Sequence, residues 1–135
     1  MYRCCSVLFI LFLYYDILEV CGLKKLVHSV LGTSYEVLLG EREEINIAEE
    51  NMGECRVYAK QILVCTDKGD CTEEELRVKV QEIVAHEFLH AYLNEAGVDL
   101  ENGNEEKLCD FYMKNWRKLN NSILEVLDES GFLDK

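Results

Sequence analysis

The residues best placed for chemistry are His86-Glu87-Phe88-Leu89-His90. Two histidines four positions apart on a helix stack on one face, a turn apart, where both imidazoles can reach one tetrahedral metal ion. Glu87 follows the first histidine, so its carboxylate can lie beside a water at such a metal. There it can take the proton and pass it to a leaving amine. The flanking Ile83, Val84, Phe88 and Leu89 are apolar, so three chemistry-bearing side chains interrupt a core-forming segment. The bland alternative is two surface histidines with an incidental glutamate, because so short a pattern also arises by chance. Helical context and apolar flanks favour a metal site, with His86 and His90 as ligands and Glu87 as general base.

A catalytic zinc needs a third protein ligand and an open fourth position. The chain has three histidines, and the remaining one, His28, is far upstream. The metzincin extension HExxHxxGxxH fails, because Leu93 and Ala96 stand where glycine and histidine are required. A downstream carboxylate is left, and Glu105 and Glu106 open the next predicted helix. Both lie near the edge of its apolar stripe, so helix phase does not choose between them. Either could also be there only because first-turn acids favour the helix dipole. Cys109 is a soft-ligand alternative that fits more naturally as a core residue.

Helices must present these groups, and the sequence marks their ends. Thr72-Glu73-Glu74-Glu75 reads as a capping box, opening a helix that runs to about Ala96 and stops at Gly97. Leu76, Val80, Ile83 and Val84 form its apolar stripe. Asn102-Gly103-Asn104 is a turn, and Asn104 is expected to cap a last helix over residues 105–127. Leu108, Cys109, Tyr112, Met113, Trp116 and Leu119 should form that helix's buried stripe. Upstream, residues 23–31 read as a short amphipathic piece and residues 33–39 as a strand. Residues 55–58 and 62–65 read as a hairpin around Ala59-Lys60-Gln61. This order predicts an α+β fold: a small antiparallel sheet, then the motif helix, then a C-terminal helix.

A length of 135 residues suits one domain, and 49% hydrophobic residues allow a packed core. A net charge of −12 argues against nucleic-acid backbones and anionic membrane surfaces. The seven cysteines include no CxxC, so reduced thiols in a cytoplasmic protein are the simplest account. A Cys55–Cys65 bridge across the hairpin would need an oxidising compartment. Residues 1–22 form a hydrophobic N-terminal segment, read as an appendage or signal-like piece. Residues 23–135 are expected to be the single domain. The apolar run over residues 6–15 is too short for a confident membrane span, yet export or membrane tethering through it is the alternative localisation.

The run His86-Glu87-Phe88-Leu89-His90-Ala91-Tyr92, then Asn94-Glu95-Ala96-Gly97, then Asn104-Glu105-Glu106-Lys107-Leu108-Cys109-Asp110-Phe111, resembles the small zincin-type metallopeptidases of phages and mobile elements. These are minimal relatives of the gluzincin group, and the resemblance covers about residues 33–120. In gluzincins the third ligand is a glutamate followed four residues later by an aspartate. The resemblance therefore implies Glu106 as third ligand and Asp110 as acceptor for a ligand histidine, with Glu105 the alternative. It implies one zinc per chain and a peptide or protein substrate, cleaved with Glu87 as base. In zincins an edge strand above the site pairs with extended peptide. Residues 62–65 are a candidate for that strand, or they simply cover the core. Tyr92 and Tyr112 are candidates for stabilising an oxyanion. The reading from another class is a non-catalytic zinc-stabilised or acidic protein-interaction domain that keeps the scaffold; an intact Glu87 speaks against it.

Overall fold

A computed structural model describes residues 22–131. The apolar run over residues 6–15 lies outside them. Seven elements follow in order: β1 (Lys24–Val30), β2 (Thr33–Gly40), α1 (Arg42–Ile45), β3 (Gly53–Arg56), β4 (Gln61–Cys65), α2 (Glu73–Glu95) and α3 (Asn104–Glu129). The class is α+β, as expected, but the sheet is mixed. Its strand order is β1-β2-β4-β3, and β2 and β4 run parallel. A parallel pair needs a long crossover, and the excursion through α1 and β3 between β2 and β4 supplies it. β4 is therefore an interior strand. Ile62, Leu63, Val64 and Cys65 are all buried, the continuous apolar run expected of a strand covered on both faces.

The expected amphipathic piece at residues 23–31 is instead strand β1. Its inward side chains are Leu26, His28 and Val30, and Lys25, Val27 and Ser29 face outward, a period of two. β1 pairs with β2 through a two-residue turn at Leu31 and Gly32, both at positive φ (48° and 88°). Such turns match the twist of the strands they join, and Gly32 carries its φ without a Cβ penalty.

One face of the sheet packs on α2, where Val30, Tyr35, Val37, Leu39, Ile62 and Val64 meet Val80, Ile83 and Ala91. On the other face Ile45 and Ile47 cover Leu63 and Cys65. Cys55 packs with the first cluster and Cys65 with the second, so the bridge considered from sequence would have to cross the sheet. Both thiols are free.

The ends of α2 follow the sequence signals. Glu75 N–H donates to Thr72 Oγ1 at 3.2 Å, and Thr72 N–H donates to Glu75 Oε2 at 2.8 Å. At the other end Gly97 adopts φ 70°, with Val98 N–H bonded to the Leu93 carbonyl and Gly97 N–H to the Asn94 carbonyl. That is a Schellman ending. α3 starts one residue earlier than expected. Asn102 and Gly103 both take left-handed conformations, so Gly103 is the N-cap and Asn104 is already helical, with no side-chain cap. Of its expected buried stripe only Cys109 is fully buried; Tyr112, Met113 and Trp116 are half-buried, and Leu108 and Leu119 are exposed. α3 packs on α2 rather than on the sheet, so its covered face is narrow. No helix of the described residues is long and apolar enough to cross a membrane.

Glu95 fixes the direction of α2. Its carboxylate accepts from Lys60 Nζ at 2.6 Å, Tyr35 OH at 2.7 Å and Thr33 Oγ1 at 2.8 Å. These three bonds tie the last turn of α2 to β2 and to the β3–β4 turn. They hold the Glu95 carboxyl at about 2, with Lys60 the largest cause. The folded value lies below the ordinary 4.5, so this stabilisation is complete above pH 4.5 and is lost as pH falls toward 2. Glu95→Gln should lower the melting temperature at pH 7, and its deficit against wild type should shrink from pH 4.5 down to 3. A deficit that stays constant over that range in thermal melts would rule out the carboxylate as the clamp.

Candidate metal centre

α2 carries His86, Glu87 and His90, and the first turns of α3 bring Glu105, Glu106 and Asp110 against them. The two Nε2 atoms are 3.2 Å apart. Glu106 lies against both, its Oε2 3.3 Å from His86 Nε2 and its Oε1 2.8 Å from His90 Nε2. Behind the rings, Asp110 Oδ1 is 3.2 Å from His86 Nδ1, and Glu105 Oε2 is 3.2 Å from His90 Nδ1.

With Asp110 and Glu105 beside the Nδ1 atoms, a ring proton at each Nδ1 would leave each Nε2 a lone pair toward Glu106, the form in which two imidazoles and a carboxylate can hold a cation. Ligand bonds of about 2.0–2.2 Å at tetrahedral angles place neighbouring donor atoms about 3.3–3.5 Å apart. The 3.2 Å between the two Nε2 atoms is close to that, and Glu106, whose side chain is 64% exposed, meets the two rings with different carboxylate oxygens. Donor atoms of His86, His90 and Glu106 all lie within 4.8 Å of one another. These three residues could therefore hold a metal ion.

Glu87 lies against β3 and is only 8% exposed. Its neighbour there is Gly53. A Cβ at Gly53 would lie 2.5 Å from Ile83 Cγ2, 2.9 Å from Glu87 Cγ and 3.0 Å from Glu87 Oε1. The absence of a side chain at this position is what allows the carboxylate to lie against the strand. Burial, the largest cause, pushes the Glu87 carboxyl up to about 7; His90 and the Cys55 backbone N–H pull the other way.

Between α2, α3 and β3 opens a cleft of about 630 Å³. Gly53, Glu54 and Cys55 form one wall, and the histidines, Glu87 and Glu106 the opposite one. The edge strand at the cleft is β3; β4, the candidate from sequence, is paired on both sides. Cys65 N–H bonds the Met52 carbonyl at 2.9 Å in the antiparallel β3–β4 register. By the alternation of such ladders, the backbone groups of Gly53 and Cys55 face away from β4.

Other sequence candidates are not drawn to the cleft. His28 on β1 stacks edge-on with Phe88, 5.6 Å between centroids. Tyr92 and Tyr112 are absent from the cleft wall. Cys109 is fully buried, and burial pushes its thiol up to about 12. Gly53, Glu95 and the contact of Glu105 with His90 were missed from sequence. Glu95 had a faint signal in the Asn94-Glu95-Ala96-Gly97 turn; Gly53 had none, since only the approach of α2 makes it special. No protein-family profile matches the chain, and neither the curated proteins nor the solved structures compared with it yield a match.

The Gly53 contact predicts a coupling. Gly53→Ala should destabilise by about 1–3 kcal/mol through overpacking. Ile83→Ala alone should cost about 2–5 kcal/mol through a cavity. Combined, each relieves part of the other's strain, so the pair should be more stable than the sum of the two losses by about 1 kcal/mol or more. Urea unfolding of the four forms measures this. Losses that add within about 0.5 kcal/mol would show that α2 and β3 do not meet at Gly53.

Proposed function

We propose that this chain is a zincin-like, zinc-dependent hydrolase that cleaves peptide bonds. The observation that carries the reading is the convergence of His86 Nε2, His90 Nε2 and the Glu106 carboxylate one residue away from a buried glutamate on the same helix. Zinc held by His86, His90 and Glu106 would supply a Lewis acid that polarises a carbonyl and acidifies water.

The chain's own groups do the rest. Asp110 and Glu105 lie at the Nδ1 atoms, where they can orient the imidazoles with Nε2 toward the metal. Glu87 takes a proton from the attacking water as its oxygen bonds to the carbonyl carbon. It then delivers that proton to the amine nitrogen as the carbon–nitrogen bond breaks. Partial desolvation suits this two-way role, because a carboxyl near neutrality both accepts and releases a proton. Peptide is favoured as substrate by the edge of β3 that no strand covers, where the Gly53 backbone groups and the Cys55 carbonyl face away from β4, the Cys55 N–H being held by Glu87.

Purified protein should hold about one zinc per chain, as three ligands and one open position imply. His86→Ala, His90→Ala and Glu106→Ala should each remove most of it. Glu105→Gln and Asp110→Asn should weaken affinity by roughly 10–100-fold. Glu87→Gln should bind zinc normally and lose hydrolysis of a mixed peptide pool. Competition with a chelating dye measures the affinities. Full zinc retention in both histidine variants overturns the site, and an active Glu87→Gln form overturns the base.

A further inference from the structure

Between α1 and β3 the chain forms no helix or strand, yet Glu50, Asn51 and Met52 of this stretch line the cleft beside Gly53. An irregular segment has no ladder of its own, so its carbonyls need partners from elsewhere. Two guanidinium groups supply them. Arg42, the first residue of α1, donates through Nη1 to the Ala48 carbonyl and, at 2.5 Å, to the Asn51 carbonyl. Its Nη2 lies 3.4 Å from Met52 Sδ. Arg56 donates through Nη2 to the Asn46 carbonyl at 3.1 Å.

Both arginines are themselves held. Asp67 Oδ1 accepts the Arg42 backbone N–H at 3.2 Å, and its Oδ2 lies 4.0 Å from Arg42 Nε. Glu54 Oε1 holds Arg56 Nε at 2.9 Å. Glu54 stands opposite Leu63 in the β3–β4 register, and Leu63 belongs to the sheet face that Ile45 and Ile47 cover. Arg56 therefore grips the segment from the face turned away from α2. Arg42 grips it where it enters the cleft. Asn51 is two residues before Gly53, and between them the Met52 carbonyl accepts the Cys65 N–H at 2.9 Å. At Gly53 the strand then meets α2 with no room for a Cβ. A guanidinium presents its donors in one rigid plane, so binding two carbonyls at once fixes how they lie relative to each other. An ammonium has no such fork.

We infer that Arg42 is a positioning residue for the substrate wall: by holding the Ala48 and Asn51 carbonyls together, it sets residues 50–53 along α2 before a peptide arrives. The inference rests on the hydrolytic reading for its kinetic consequence and not for the position of the wall. A wall ordered in advance spares an incoming peptide the cost of ordering it. The proposed metal ligands sit on α2 and α3, outside the segment that Arg42 holds. Loss of the fork therefore weakens peptide binding and leaves zinc affinity alone.

The test uses the zinc-loaded full chain with Arg42→Met and Arg42→Lys. The lysine form keeps the charge without the fork, so it carries the test if the methionine form does not fold. Hydrogen exchange, read by mass spectrometry, should become about tenfold faster over residues 46–56 in both variants, with residues 61–65 of the interior strand unchanged. Zinc affinity, read with a chelating dye, should match wild type. For a mixed peptide pool, followed by release of amines, the apparent KM should rise about tenfold while kcat changes little. Unchanged exchange over residues 46–56, or an equal rise over residues 61–65, overturns the inference and leaves the hydrolase standing. So does a wild-type KM in Arg42→Lys, which would make charge alone sufficient. Loss of zinc in either variant overturns it as well. Faster exchange confined to residues 46–56, with no cleavage by wild type, overturns the hydrolase and keeps Arg42 as the residue that holds the wall.

Discussion

At Gly53 the backbone of β3 and the side chains of α2 approach until no methyl group fits between them. The rest of the site depends on that contact. It brings Glu87 out of water and against the strand edge, while the helical turn that carries it directs His86 and His90 toward α3. A single helix thus brings the Glu87 carboxylate and the two imidazoles to one wall of the cleft. The 100° step between successive helical residues turns Glu87 toward β3 and the histidines toward the acids of α3.

α3 completes what α2 begins. Three acids within its first two turns lie against all four nitrogens of the imidazole pair: Glu105 one Nδ1, Asp110 the other Nδ1, and Glu106 both Nε2 atoms. Gathering carboxylates this closely is unfavourable without positive charge. A cation between the two Nε2 atoms and Glu106 would offset part of that repulsion. The burial of Cys109 among these acids anchors α3 on α2, so that the carboxylates are presented from a packed helix rather than a loop.

Precision at the centre also needs α2 to keep its direction over its whole length. The capping box at Thr72 starts it, the Schellman ending at Gly97 stops it, and the Glu95 carboxylate ties its last turn to Thr33, Tyr35 and Lys60. Tyr35 is fully buried, so its hydroxyl must find a partner within the protein, and Glu95 provides it. A tilt of α2 would separate Glu87 from β3 and the histidines from α3 together.

The sequence by itself determined whatever local spacing determines. The i, i+4 histidines, the adjacent glutamate, both ends of α2 and the order of strands before helices were legible, because helix period and capping depend on neighbours in the chain. The strand character of residues 24–30 was missed, although the period-two alternation is there, because a short amphipathic run does not declare its period. Only the tertiary structure decided that β4 is central and parallel to β2, since strand partners come from chain-distant pairing that no local pattern encodes. It also decided how the acids of α3 are shared out among the ring nitrogens. Glu105 and Glu106 have nearly equivalent positions in the helix, and the angle at which α3 packs on α2 distinguishes them. Gly53 is the extreme case: an ordinary glycine in the chain, it acquires its role only when a helix from 30 residues later settles on it.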